Sequence, residues 1–389
     1  MGPPELLAQG SDAPPPRRRR VFGALLALLV AVGAGWTVLR DGGEGPPAPA
    51  SPEQSDVPFD PGPAVDLGQP PGPGDARVLW WRDGTLARSG PGGRQAYRLP
   101  ADTPPVVGEN GRWVVGLARG QVWVAPAGDP RARPRRLGAA EGLLGVVDGQ
   151  AYLVKQGAAG WRTRVVAVRL PGGEVDRRPV PVPPGTRAVG LAEVAGGVHV
   201  VVATRGGDRR TGVLDAAGRV SAWVEGQPLA VRGARLVTRD CGVRRCLLGL
   251  SSLDSLAAGR VVVRAPGGAE FLPTRATVVP NGALAVVANR RGRSPWSALV
   301  LVEWLHPRVP PTVRYVFGTA NVLPAAGLAA GPGLVAMAVP SRARTVVVAV
   351  RAIDAVSGTY DLGVTLPRGS RLVAVLPAEP SCLLSRLAC

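Results

Sequence analysis

Two patterns of hydrophobic and polar positions divide the chain. Residues 21–39 form one unbroken run without a charged side chain, whereas residues 76–380 alternate short aliphatic segments with Gly, Asp, Asn and Pro. At a rise of about 1.5 Å per residue the first run is about 28 Å long as a helix, close to the roughly 30 Å hydrocarbon core of a bilayer. Phe22, Leu25, Leu26, Leu28, Leu29, Val30 and Val32 supply its apolar surface, and Trp36 stands where an aromatic ring favours the lipid–water boundary. The pattern predicts a transmembrane helix. Arg17, Arg18, Arg19 and Arg20 precede it, while Arg40 is followed by Asp41 and Glu44. This positive-inside bias keeps residues 1–20 in the cytoplasm and exports the remainder. A signal peptide cleaved before Gly35 is the competing reading, but the apolar run continues past that point.

From Ala76 onward one unit recurs: a β-branched or aliphatic strand, a Gly/Asp/Asn turn, a second strand, then a Pro/Arg-rich connection. The clearest strands begin at Val78 (VLWW), Trp113 (WVVGLA), Tyr152 (YLVK), Val198 (VHVVVAT), Leu236 (LVTRD), Leu284 (LAVVAN) and Leu334 (LVAMAV). They are separated by roughly 35 to 50 residues, the repeat length of a four-stranded propeller blade. No 3.6-residue apolar period is sustained, which argues against helical solenoids and α/β folds. The expected fold is all-β, a seven-bladed (alternatively six-bladed) β-propeller preceded by one transmembrane helix and a disordered linker. Residues 371–376 are placed to close the ring beside the Val78 strand. The expected organisation is a cytoplasmic tail (1–20), membrane helix (21–39), Pro/Gly-rich linker (40–75), propeller (76–380) and a C-terminal Cys clasp (381–389).

Composition sharpens this picture. The 53 Gly and 41 Pro suit a fold made of turns, and aromatics at 4% leave Val, Leu and Ala to fill the core. A net charge of +18 would ordinarily suggest nucleic acid, but predicted export removes that partner. The base is nearly all Arg, with Lys155 the only Lys, and the remaining anionic partners are lipid headgroups or cell-wall polymers. An exported domain can oxidise its cysteines. Four allow three pairings, of which the neighbours Cys241–Cys246 and Cys382–Cys389 are favoured as structural clasps.

The sequence offers little reactive chemistry. His199 and His306 lack a second ligand at metal spacing, and the nucleophile-elbow, phosphate-loop and zinc-protease motifs are absent. No catalytic residue, metal or cofactor is expected. Asp83, Asp148, Glu193, Asp215, Asp240, Glu303 and Asp354 are candidates for acid–base work only as carboxylates in or near strands and turns, where capping and Arg pairing are commoner uses. Most exported Trp residues are expected between sheets. Trp81, Trp161 and Trp296 stand near strand ends and are the candidates for a partner-binding rim.

The membrane anchor, the tether, the opening VLWWRDGTLARS hairpin and the DCGVRRC turn together resemble the single-span, membrane-anchored TolB-like or WD40-like β-propeller proteins of high-GC Gram-positive bacteria. This resemblance implies a binding platform rather than a reaction. The leading expectation is an extracytoplasmic protein-interaction or ligand-sensing module at the cell envelope, with an envelope protein or anionic cell-wall polymer as partner. The alternatives are an envelope lyase or glycosidase acting on anionic polymer, and a signalling protein coupled through the span to a cytosolic regulator.

Overall fold

The computed structural model describes residues 76–376 apart from 109–110, 158–162, 176–177, 195–196, 207–208, 243–245, 255–257, 263–270, 279–283, 291–296, 304–311, 320–326, 332–333, 341–344 and 352–358. Residues 21–39, and with them the predicted span, lie outside the described residues, as do Cys382 and Cys389. Among the described residues no helix is long and apolar enough to cross a membrane.

Twenty-eight strands form seven antiparallel four-stranded sheets among the described residues, the blades of a β-propeller. The first contains β1 (Arg77–Arg82), β2 (Thr85–Gly90) and β3 (Gly93–Ala96). The second contains β4 (Val106–Val107), β5 (Trp113–Ala118), β6 (Gln121–Pro126) and β7 (Arg135–Ala139), and the third β8 (Gly142–Val147), β9 (Gln150–Gln156), β10 (Thr163–Arg169) and β11 (Val180–Pro181). The fourth is β12 (Thr186–Val194), β13 (Gly197–Thr204), β14 (Arg210–Leu214) and β15 (Val220–Glu225), and the fifth β16 (Gln227–Arg232), β17 (Arg235–Cys241), β18 (Cys246–Ser252) and β19 (Ala258–Val261). The sixth is β20 (Phe271–Val278), β21 (Leu284–Arg290), β22 (Ser297–Glu303) and β23 (Thr312–Thr319), and the seventh β24 (Leu328–Gly331), β25 (Leu334–Pro340), β26 (Thr345–Arg351) and β27 (Thr359–Leu366). The last strand, β28 (Arg371–Leu376), completes the first sheet by pairing with β1. Radial closure of this kind leaves only the outermost strands as edges.

The innermost strands β28, β4, β8, β12, β16, β20 and β24 each touch their two neighbours in turn, which closes the ring. Strand periodicity explains how the sheets stick to one another. Trp80 belongs to a buried cluster with Leu334, Ala336 and Leu362 of the seventh sheet, while Leu79, pointing the opposite way, joins Val114 and Ala125 of the second. The same alternation places Val115 and Val124 against Leu153 and Val166, and Tyr152 and Val165 against Val200 and Val202. The first five blades thus each supply half the core of two interfaces.

Tight turns follow the local sequence. Asp83-Gly84 and Asp148-Gly149 have φ of 48° and 81°, and of 48° and 69°, the doubly left-handed pair that matches strand twist. The hairpin between β17 and β18 ends in the expected disulfide, with Cys241 and Cys246 directly opposite one another in register. Beyond the hairpin β19 pairs with β18 as the outermost strand of the sheet.

Candidate functional site

The innermost strands all start at one face, which also carries the connections between sheets and the turns between second and third strands. Five of these strands contain a bulge against the second strand. The extra residues are Leu144, Val189, Leu229, Thr274 and Val373. A bulge increases local twist and re-aims the residues beside it. The residue that follows is small in four cases, Gly145, Gly190, Ala230 and Ala374, and at the two glycines the next innermost strand occupies the space: a Cβ on Gly145 would sit 3.0 Å from Leu191 Cδ1, and one on Gly190 3.4 Å from Val231 Cγ2. In β20 the same position holds Arg275.

Arg275 is half-buried, and burial, followed by the charge of Arg371, pushes its guanidinium below the ordinary arginine range. Arg371 opens β28 and is exposed, and its Cζ lies 5.6 Å from the centre of the Trp81 ring. That distance is within cation–π range. The two residues are partners in the β1–β28 register. The Trp81 indole is fixed in turn by Nε1, which donates to Ala101 O at 3.2 Å. Ser370, immediately before Arg371, is buried, and its hydroxyl has no hydrogen-bond partner among the described residues.

Further arginines extend the patch over neighbouring blades. Arg239 donates through Nη1 to Pro273 O at 3.0 Å and through Nη2 to Gln227 Oε1 at 3.2 Å, bracing the start of β20. Burial and then the charge of Arg209 lower its pKa too. Arg209 itself donates to Cys241 O at 3.0 Å. Like charges are thus gathered at one face, at an electrostatic cost that a binding site tolerates more readily than a scaffold.

The residues singled out from sequence are distributed unevenly. Trp81 stands at this mouth, although its ring also packs against the cluster of Leu79, Leu86 and Tyr97. Trp161 and Trp296 lie outside the described residues. Trp80 is core: fully buried, bonded through Nε1 to Ser89 Oγ at 2.9 Å, and stacked under Arg94 at 4.4 Å. Trp223, on the outermost strand β15, is the exposed Trp among the described residues, with its ring over Gly212.

His199 donates from Nδ1 to Leu214 O at 3.0 Å, a structural contact, and His306 lies outside the described residues. Asp83 and Asp148 occupy turn positions. Asp215 caps the β14–β15 turn by accepting from the backbone of Ala217 and Arg219, and these bonds hold its carboxyl below the usual range. Among the described residues no three His, Cys, Asp or Glu side chains are grouped to hold a metal. Sequence reading passes over Arg275 and Arg371. The available signal is an alignment of LLGVV, AVGLA, PLAVR, PTRAT and LVAVL, in which a central small residue is replaced once by Arg.

No protein-family model matches the chain, and no curated protein matches it in sequence. Solved structures do. The β-propeller domain of the trilobed protease from Pyrococcus furiosus, which has an open velcro topology, is 11% identical and superposes with a TM-score of 0.50 over 76% of this chain and 96% of that one. This likeness is one of fold. TolB from Acinetobacter baumannii is 10% identical, with a TM-score of 0.43 over 77% of this chain and 82% of that one. An acylaminoacyl peptidase is 12% identical, with a TM-score of 0.48 over 76% of this chain, which spans 52% of the peptidase.

Proposed function

We propose that this propeller is a protein-interaction or ligand-sensing platform, held to a membrane by residues 21–39 and working on the extracytoplasmic side. The observation that carries the reading is the gathering of Arg275, Arg371 and Trp81, with Arg239 and Arg209 beyond them, at one face of a rigid closed ring. Such a ring presents a preformed surface whose ordering entropy is lost on folding rather than on binding. The length and Pro/Gly content of residues 40–75 fit a tether that holds the platform away from the bilayer.

In-cell crosslinking of the full-length protein, read by mass spectrometry beside a chain lacking residues 41–75, tests this function. The expected result is reproducible crosslinks from the mouth face to one envelope protein, weakened when the tether is removed. Crosslinks to no protein, together with salt-sensitive retention on purified cell wall, would replace the platform with a receptor for anionic polymer.

A further inference from the structure

We propose that the connection between β6 and β7, residues 127–134, together with Arg135 at the start of β7, docks on the anionic headgroups of a phospholipid bilayer. The inference rests on the membrane-tethered platform proposed above and gives it an orientation. Residues 129–136 carry Arg131, Arg133, Arg135 and Arg136 against one acid, Asp129. Pro130 is buried and Ala132 and Pro134 are half-buried, whereas Arg131, Arg133 and Arg135 are exposed, so the alternation turns three guanidiniums outward. Among the described residues none of these three groups forms a hydrogen bond or ion pair.

The segment is ordered before it meets a ligand. The Tyr97 phenol donates to Ala127 O, and Arg88 Nη1 donates to Gly128 O at 3.0 Å, pinning its start to the first sheet. Asp129 shapes the turn that follows: its Oδ1 accepts the Arg131 N–H at 2.9 Å and its carbonyl accepts the Ala132 N–H at 3.3 Å. Pro130 and Pro134 fix φ at two further positions. The charges are therefore held together at little entropic cost on binding.

The place of the segment in the fold selects the partner. The Ala127 N–H donates to Arg112 O at 2.9 Å, immediately before β5, so the segment lies at the end of the sheets where second strands begin, opposite the mouth. The second strand of the first sheet is β1, and residues 1–75 join the ring at this same end through Ala76. A bilayer holding residues 21–39 is thereby offered to these arginines at a high effective concentration, an advantage that a soluble anionic polymer lacks. Each basic residue near an anionic lipid surface favours association by roughly fivefold, and three by on the order of 100-fold. That draws down a ring which its tether otherwise lets stand away, and it presents Arg371 and Trp81 on the side remote from the lipid.

The test uses purified full-length protein in nanodiscs of phosphatidylcholine alone or of a mixture rich in phosphatidylglycerol, each with a trace of lipid photoreactive in its headgroup. Crosslinks are mapped by mass spectrometry at an ionic strength of about 0.15 M. The expected yield at residues 127–139 is about tenfold higher in the anionic discs and falls at about 1 M salt, where screening shortens to about 3 Å. Replacing Arg131→Gln, Arg133→Gln and Arg135→Gln together returns it to the neutral-disc level with the melting temperature unchanged, since all three side chains are exposed. Arg119→Gln, exposed in the β5–β6 turn at the opposite end, leaves the yield as in wild type.

Equal yields in the two discs, or a triple variant that crosslinks like wild type, would overturn the docking. Loss of the crosslinks on adding inorganic polyphosphate at equal phosphate concentration would reassign the arginines to a soluble phosphate polymer. A parallel sample with the photoreactive group in the acyl chain separates this failure from that of the platform. Labelling of residues 21–39 without enrichment at 127–139 removes the docking and leaves the anchor standing. Absence of labelling at 21–39 removes the membrane tether, and the docking with it.

Discussion

At the scale of single residues, Tyr97 shows how burial sets a pH limit on the fold. Its backbone N–H donates to Leu86 O at 2.9 Å and its phenol donates to Ala127 O, tying the first sheet to the second. Burial is the main cause that raises its pKa from 10.0 to about 12. The folded state therefore holds the proton more tightly than the unfolded chain. Its contribution to stability is complete below pH 10 and is lost as pH rises through about 12. Between those values one extra proton is bound in the folded state, a slope approaching about 1.4 kcal/mol per pH unit. In Tyr97→Phe, urea titrations should show a neutral-pH loss of about 1–3 kcal/mol from the orphaned Ala127 carbonyl and a shallower alkaline decline. An alkaline slope identical to wild type would mean that other groups set the limit. Residue chemistry was partly legible in the sequence. Asp-Gly pairs announce the turns at Asp83 and Asp148, but Arg119-Gly120 adopts the same left-handed geometry, with φ of 50° and 69°, without that cue. There the Arg119 N–H donates to Asp102 Oδ2 at 2.6 Å, a partner 17 residues away that no local pattern reveals.

At the scale of elements, legibility depended on depth within the blade. All seven strands picked out by their apolar runs, from VLWW to LVAMAV, are second strands of their sheets, as β1, β5, β9, β13, β17, β21 and β25. Those strands are covered on both sides and read as continuous hydrophobic segments. The innermost strands escaped because bulges break the two-residue period on which strand reading relies, and because Pro228 and Pro273 sit inside β16 and β20. The same geometry hid the candidate site, since Arg275 acquires its meaning only when five bulges are aligned. The closing element is the exception: residues 371–376 were expected beside the Val78 strand, and β28 pairs there. Its fit against β24 is tight, for a Cβ on Gly331 would lie 2.7 Å from Val375 Cβ and 3.2 Å from Val375 O. Gly331→Ala should therefore destabilise by about 1–3 kcal/mol through overpacking. Val375→Gly, which removes that Cβ, should cost less in the Gly331→Ala chain than alone, so the two changes combine non-additively in a double-mutant cycle. Strictly additive costs would show that the two strands do not compete for this space.

At the scale of the whole molecule, the ring has no independent blades, because its buried clusters each span two adjacent sheets. Coupling between neighbours rather than across the ring resembles a one-dimensional repeat array bent until its ends meet. This predicts a graded response to opening the ring. A chain ending at Ser370 lacks β28, which leaves β1 as an unpaired edge and strips Leu372 and Val375 from the cluster around Trp80, and Ala374 and Leu376 from that around Leu79. Hydrogen exchange should show the greatest loss of amide protection in the first, second and seventh sheets. The loss should be least in the fourth and fifth, which lie furthest from the opening and whose clusters contain no residue of β28. Uniform loss in every sheet would instead identify a single all-or-none unit, and loss confined to β1 would mean that the clusters do not transmit strain. The graded outcome has a functional consequence. Arg371 and Arg275 sit on strands two places apart in the ring, β28 and β20, with β24 between them. Their spacing then depends on the same closure that sustains the fold.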